Sequence, residues 1–244
     1  MTETRDRLKE AYEEWKAKMK SDAHLARLSP PLLLSTPLSY SNEAKNAVVF
    51  GQETLGWSWS KGLRQKYPLY KNDYPFNDLG SCADFINNSD CVDALQWGYE
   101  QFNFAENQRR NYNSPFWAAF REVQKWGFEN VIWTNLSKCD YDSGSVLKLD
   151  RARLQKFIAD QVGLVESELH VLKPECSIFF TGPNYDHLLK LLFPGVIMES
   201  VSDSILHLAH TSLPKKSFRT YHPAYLRRSG QWSLLEKVRI LSAV

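Results

Sequence analysis

The chain has 244 residues, of which 43% are hydrophobic and 24% are charged, and its formal net charge is +2. This composition is typical of a globular protein that buries a sizeable core, and the small net charge indicates no global attraction to nucleic acid. No apolar run approaches the roughly 20 residues of a membrane span. The charged N-terminus has a helical pattern rather than that of a signal peptide. We therefore expect a cytoplasmic protein without a membrane partner.

The cysteines favour free thiols over a metal site. Cys82, Cys91, Cys139 and Cys176 are scattered and form no C-x-x-C pair, which argues against zinc or an iron–sulfur cluster and fits a reducing cytosol. The sequence also contains neither a G-x-x-x-x-G-K-[ST] nor a G-x-G-x-x-G motif, so no nucleotide cofactor is indicated. We expect no metal and no cofactor.

The first part of the chain reads as a helical extension followed by a strand. Residues 3–20 form a predicted amphipathic helix with Leu8, Tyr12 and Trp15 on one side. This helix lies in an N-terminal extension of about 1–40, and residues 47–50 then form the first predicted buried strand.

Apolar strands then alternate with helices through the rest of the chain. This alternation favours a single α/β domain, with a parallel sheet covered on both faces. A segment from about 57 to 113 is aromatic and rich in turns, and it includes a predicted helix near 82–101. Further helices are predicted at 114–127, 150–162, 184–193 and 229–241, and further strands at 130–135, from 176 and from 217.

Three of the predicted strands end in polar turns. The strand at 47–50 runs into Gln52 and Glu53, the next ends at Asn135, and the last is followed by His222. Parallel strands present their carboxyl ends along one edge of a sheet, where open α/β proteins bind ligands. The sequence therefore predicts that these side chains converge on one cleft.

Five short motifs occur in an order that resembles the uracil-DNA glycosylase superfamily. The chain reads "GQETLGW" where that superfamily has its first motif, and "VIWTNLSK" where a strand ends in a base-reading Asn. It reads "HPAYL" at the second motif, "NSPFWAAFREV" at the loop that pinches the DNA backbone, and "IFFTGPN" at an apolar strand ending in Gly. The resemblance covers residues 48–228 with an unmatched insertion at about 57–113. It implies one domain with a four-stranded parallel central sheet flanked by helices.

The resemblance also implies an activity and a set of site residues. The family hydrolyses the N-glycosidic bond of a base flipped out of DNA, so the implied partner is double-stranded DNA, and no obligate protein partner is indicated. Glu53 stands where the best-known branch has Asp and is the expected catalytic acid, while His222 is expected to stabilise the departing base. The implied substrate-binding residues are Gln52, Leu55, Gly56, Trp57 and Asn135. The implied DNA-binding residues are Ser114, Pro115, Gly182, Tyr225, Arg227, Arg228 and Leu226, the last as an apolar wedge.

The motif around Glu53 also bears on the identity of the base. The uracil-specific branch has a Tyr two residues after its acid, which blocks a C5 methyl group, and this chain has Leu55 followed by Gly56. We expect a pocket that admits a C5-substituted pyrimidine, such as the glucosylated hydroxymethylcytosine of phage DNA, in an antiviral role. In the alternative, Trp57, Trp59 or Phe76 refills the space and the base is uracil. A catalytically silent DNA-binding module is the other alternative.

Other charged and histidine-containing segments have weaker interpretations. From Thr211 to Gln231 there are five basic residues and no acid, which suits phosphate contact by Lys215 and Lys216 or is a solvated loop. His207 and His210 lack the further ligands of a metal site and are expected to be structural or to face DNA. Asp140 and Asp142 lack the rest of an EF-hand loop, so a solvated turn is expected there.

Overall fold

A computed structural model describes residues 3–19, 23–57, 79–103 and 113–243. In these ranges the chain has an α/β architecture, in which one mixed, mostly parallel sheet carries helices on its flanks. The six strands of the sheet are β1 (Asn46–Gly51), β2 (Asn130–Asn135), β3 (Cys176–Phe180), β4 (Ile197–Ser202), β5 (Ile205–Ala209) and β6 (Lys216–Thr220).

The strand order is β2-β1-β3-β6-β5-β4. β2, β1, β3 and β6 run parallel, while β5 and β4 continue the sheet in antiparallel pairing. The sheet therefore has six strands rather than the expected four, because the β4–β5 hairpin extends it. The sequence did not predict this hairpin because β4 lacks the apolar pattern of a core strand. β4 is an edge strand without a buried face, and Ile197 is 57% exposed and Val201 45% exposed.

Helices lie at or near most of the predicted positions. The described residues include α1 (Glu3–Lys18), α2 (Cys82–Asn87), α3 (Cys91–Asn103), α4 (Pro115–Val123), α5 (Arg151–Leu172), α6 (Asp186–Leu192), α7 (Pro223–Arg228) and α8 (Leu234–Ser242). Short 3₁₀ turns occur at Ala23–Arg27, Val146–Lys148 and Pro183–Tyr185. Within this described part of the chain, no helix combines the length and apolarity that crossing a membrane requires.

One predicted helix is divided in the structure, one begins later than expected and one is longer than expected. The helix near 82–101 is interrupted after Asn87, and the closing helix, predicted from 229, begins at Leu234. The separate α7 precedes it and ends before Gly230, which has a φ of +69°. The helix predicted at 150–162 continues to Leu172 because its buried stripe continues through Leu164 and Leu169. The predicted strands at β1, β2, β3 and β6 are confirmed.

A buried polar network attaches the N-terminal helix to the core. As predicted, α1 buries Leu8, Tyr12 and Trp15. The Tyr12 hydroxyl donates to Glu168 of α5 at 2.9 Å, and Glu168 forms a fully buried ion pair with Lys138. The Lys138 ammonium also donates to Thr134 Oγ1 of β2 at 2.7 Å. Each charge in this network is satisfied, which is the condition under which buried charges are tolerated.

Candidate active site

The predicted site residues converge at the carboxyl edge of the parallel strands. β2, β1, β3 and β6 are neighbours in that order, so their carboxyl ends lie side by side about 5 Å apart. Asn135 ends β2, Gln52 and Glu53 follow β1, Gly182 follows β3 and His222 follows β6. The turn at each strand end thus carries at least one residue that the sequence singled out.

Gly51 allows two larger side chains to pack against the end of β1. Gly51 is paired in register with Asn135 of the neighbouring strand. A Cβ at Gly51 would overlap the Asn135 amide and lie 3.2 Å from Phe116 Cε2. In the orientation that pairs both of its amide atoms, Asn135 donates to the Thr134 carbonyl at 3.2 Å and accepts from the Thr54 N–H at 3.3 Å. Asn135 and Phe116 therefore occupy the space that a side chain at position 51 would fill.

The Glu53 carboxylate is fixed by two donors from other segments. Its Oε2 accepts from the Val146 N–H at 2.7 Å, and its Oε1 accepts from the Tyr185 hydroxyl. Burial and the neighbouring carboxylate raise the pKa of Tyr185 well above its usual value, so this phenol stays protonated and can only donate its proton to Glu53. The two bonds leave one acceptor site on each Glu53 oxygen. Glu53 itself is only partly buried.

Asp140 holds the turn that carries Glu53. Its Oδ2 accepts from the Thr54 hydroxyl at 2.9 Å, the Gly56 N–H at 2.9 Å and the Trp57 N–H at 3.3 Å. Asp140 is 1% exposed, so the expectation of a solvated turn was wrong for this residue. It is buried because three donors of the 54–57 turn compensate its charge. Asp142 is exposed and pairs with Arg27.

The side chains at positions 55–57 of this turn differ in their exposure to solvent. Leu55 is 80% exposed, and Gly56 adopts a φ of +70°, the left-handed conformation in which glycine is preferred. Trp57 is half-buried and packs against the core. Trp59 and Phe76, the other expected wall residues, lie outside the described residues.

Gln52 and Gly182 link the ends of the central strands. The Gln52 Nε2 donates to the Thr181 carbonyl at 2.8 Å, and the Gly182 N–H donates to the Thr220 carbonyl at 3.0 Å. A Cβ at Gly182 would lie 3.6 Å from the His222 nitrogen. Gly182 therefore lies directly beside the residue that follows β6.

His222 is neutral and has a defined tautomer. Its Nδ1 accepts from the Ala224 N–H at 3.2 Å and thereby caps the N-terminus of α7. Burial, together with the nearby Arg228 guanidinium, lowers the pKa of His222 to about 4. At neutral pH the single ring proton must therefore be on Nε2, which makes that nitrogen a donor. The ring lies nearly parallel to Phe116, with 6.4 Å between centroids.

The short helix α7 places one aromatic and two cationic side chains on the surface. Tyr225 is 42% exposed and stacks on Tyr221 at 4.5 Å between centroids, and Arg227 and Arg228 are exposed. Leu226 is fully buried, so its predicted role as a wedge in DNA was wrong. On this short helix Leu226 lies on the same face as the buried Pro223, toward the core.

The N-terminus of α4 meets α7 at the same edge. Ser114 caps α4 by accepting from the Trp117 N–H at 3.5 Å, and Pro115 occupies its first turn. Arg227 Nη1 donates to the Asn113 carbonyl at 3.4 Å. Ser114 and Pro115 are thus adjacent to the exposed cations of α7.

Lys215 and Lys216 lie away from this edge. Lys215 precedes β6 and Lys216 is its first residue, so both stand at the amino end of the strand whose carboxyl end leads to His222. Lys216 donates to the Ala243 carbonyl at 2.5 Å, and Arg219 of the same segment is buried in an ion pair with Asp186. The structure does not bring the two lysines together with the other DNA-binding candidates, because β6 separates them from that edge.

The remaining candidates have structural contacts. His207 and His210 bond to the carbonyls of Lys215 and Pro194 at 2.8 Å and 3.1 Å, in agreement with a structural role. All four cysteines are buried free thiols, as expected. Across the described ranges, no group of three or more His, Cys, Asp or Glu side chains is arranged to hold a metal ion.

Sequence reasoning missed several residues that build the site. Phe116 and Tyr185 were read only as parts of longer segments, although each follows a motif residue by one to three positions. Asp140 is 87 residues from Glu53, so no local pattern connects it with the turn that it holds. The backbone N–H of Val146 carries no sequence signal at all.

Comparison with known proteins gave no match to this chain, either among protein-family models or among curated protein sequences.

Proposed function

We propose that this chain is a monofunctional DNA glycosylase with the fold of the uracil-DNA glycosylase superfamily. In this proposal β2, β1, β3 and β6 are the four parallel strands of the family sheet, and the β4–β5 hairpin extends it. The observation that carries the proposal is the convergence of Glu53, Asn135 and a neutral His222 on one sheet edge. These residues come from three strands that are far apart in sequence.

The geometry supports a hydrolytic step at C1′ of a flipped nucleotide. As the bond between C1′ and the base nitrogen breaks, the sugar becomes cationic and the base leaves as an anion. The Glu53 carboxylate stabilises the cation and orients the water, whose oxygen bonds to C1′. The Nε2–H of His222 donates to the carbonyl oxygen of the leaving base. The proton released by the water finally goes to the base.

Recognition of the base falls to Asn135 and its neighbours. With one bond on each amide atom, Asn135 retains one donor and one acceptor for a pyrimidine edge. The exposed Tyr225 replaces Leu226 as the apolar contact beside the DNA, with Arg227 and Arg228 at the phosphates. Such aromatic surfaces suit stacking on bases.

We assign the substrate to the C5-substituted pyrimidines, with glucosylated hydroxymethylcytosine in phage DNA as the leading candidate. The support is that position 55, two residues after Glu53, holds an exposed leucine rather than a packed aromatic side chain. Uracil remains the competing substrate. The test is a panel of duplexes containing uracil, a thymine mispair or glucosylated hydroxymethylcytosine, scored by alkali-labile strand cleavage.

Each outcome of this panel selects one function. Release of the glucosylated base supports the proposal, and release of uracil alone refutes the bulky substrate while retaining the glycosylase. Binding without any base release identifies a silent DNA-binding module. Activity of the wild type that is lost in Glu53→Ala and His222→Ala assigns the two roles, and full activity of Glu53→Ala refutes the assignment of the acid.

A further inference from the structure

We infer that Tyr185 is a positioning residue for Glu53, at the end of a directed chain of hydrogen bonds. This inference rests on the proposed function. It starts from the observation that the Tyr185 hydroxyl, whose side chain is 5% exposed, donates to Glu53 Oε1. A hydrogen bond to a carboxylate is about twice as strong as a neutral one.

The direction of the chain follows from the number of protons available. Tyr185 has one hydroxyl proton and gives it to Glu53, so at the 3.2 Å contact with Ser145 its oxygen must accept the Ser145 proton. Ser145 Oγ in turn accepts from the Leu147 N–H at 3.1 Å. Three donors therefore point the same way and end on one carboxylate, an arrangement in which each bond polarises the next.

A second anchor fixes the other oxygen of Glu53. The Val146 N–H, from the same 3₁₀ turn, donates to Oε2 at 2.7 Å. Because both oxygens are held, rotation of the carboxylate about its terminal bond is restricted. The extra methylene of Glu, compared with Asp, extends the carboxylate to these two donors.

Different residues therefore fix the backbone of the turn and the side chain of Glu53. Asp140 fixes the backbone of the turn, while Tyr185 and Val146 fix the carboxylate itself. Tyr185 then affects the chemical step and leaves DNA binding unchanged, since its side chain is buried and its hydroxyl is bonded to Glu53. Removing a charge-assisted hydrogen bond of this kind is expected to slow catalysis about 10- to 100-fold.

The test compares Tyr185→Phe with Tyr40→Phe. Tyr40 is a matched control because it is also buried, and its hydroxyl donates at 2.6 Å to the carbonyl of Leu172, the last residue of α5, which precedes β3 and so lies away from the carboxyl ends of the strands. Single-turnover rates and dissociation constants are measured on duplexes containing one glucosylated hydroxymethylcytosine or one uracil, whichever the wild type cleaves. Melting temperatures are measured on the same samples.

We expect Tyr185→Phe to lose about 10- to 100-fold in single-turnover rate, with less than about a twofold change in dissociation constant. Tyr40→Phe should show a similar fall in melting temperature and the rate of the wild type. A Tyr185→Phe rate equal to that of Tyr40→Phe, or a loss explained by weaker DNA binding, overturns the inference.

Two further outcomes are separated by the same experiment. If Tyr185→Phe does not fold, Ser145→Ala breaks the chain one bond earlier and must still slow the step while leaving binding unchanged; an unaltered rate overturns the inference. A wild type that releases neither base refutes the proposed function, and this inference with it. An active wild type with a fully active Tyr185→Phe refutes this inference alone.

Discussion

The substitution Gly51→Ala tests the packing on which the candidate site depends. The new Cβ would overlap the Asn135 amide and lie 3.2 Å from Phe116 Cε2, whereas carbon atoms pack at about 3.5–4.0 Å. Overpacking of this kind costs about 1–3 kcal/mol. If Asn135 moves away, two hydrogen bonds of about 1 kcal/mol each are also lost. We expect the free energy of unfolding to fall by about 3–5 kcal/mol.

Urea denaturation measures this loss of stability, and two further variants test whether the steric contact with Asn135 causes it. Gly163→Ala is the matched control, because Gly163 lies in α5 and an added Cβ would approach no atom within 4 Å other than its chain neighbours and its own helix backbone. This variant should stabilise the protein by about 0.4–1 kcal/mol. In an Asn135→Ala background the amide is absent, so Gly51→Ala should cost less than about 1 kcal/mol. Wild-type stability of Gly51→Ala, or an equal cost in both backgrounds, would refute the steric account.

The same substitution bears on activity. Displacement of Asn135 by about 1 Å is expected to reduce base release about 100-fold, because misplacement on this scale has that effect on catalytic steps. Cleavage of the substrate duplex by Gly51→Ala and Gly163→Ala gives the comparison. Equal rates would show that Asn135 does not contribute to base recognition.

Three further predictions concern residues around the site and in the core. The pKa of His222 is lowered to about 4 in the folded protein, whereas an unfolded histidine titrates near 6.5. As the pH decreases from about 6.5 toward 4, the unfolded state therefore takes up a proton that the folded state does not, and stability should fall. His222→Asn retains a cap for α7 and should show a smaller fall by thermal unfolding. Lys138→Met leaves the Glu168 charge buried without a cationic partner and should cost about 3–5 kcal/mol in urea unfolding, most of which Glu168→Leu restores in the double variant. Leu226→Ala should lose about 2–5 kcal/mol of stability, whereas Tyr225→Ala should weaken DNA binding with little change in stability, as measured by denaturation and by fluorescence anisotropy.

The contrary results are equally specific. A fall of the same size in His222→Asn would exclude His222 as the titrating group. A Lys138→Met/Glu168→Leu protein no more stable than Lys138→Met would contradict the role of an uncompensated charge. Loss of DNA binding in a stable Leu226→Ala protein would restore the wedge assignment.

The central strands and their polar ends could be predicted because both leave local signals. β1 and β3 are fully buried and mostly apolar, and the direction of a parallel sheet then places Glu53 and His222 at the same edge. The same reasoning could have excluded Lys215 and Lys216, because residues that precede a strand lie at its opposite end. Their basic charge favours phosphate contact, but their position at the amino end of the strand excludes them from this edge.

Other features depend on contacts that the sequence does not encode locally. The motif order identified the segment around Leu226, but the rotation of α7 decides that Tyr225 is exposed and Leu226 is buried. Asp140 reads as a turn residue until the three donors of the distant 54–57 turn are known. Side chains that act through tertiary contacts are therefore the ones that sequence reasoning missed.

The bonds of Asp140 bear on how the proposed base specificity could be changed. Asp140 holds the backbone of the turn as far as the N–H of Trp57. Under the proposed function, we expect replacement of the sequence that follows Trp57 to alter which bases are accepted while the turn that carries Glu53 keeps its shape. Position 57 is therefore the natural junction at which to exchange that segment.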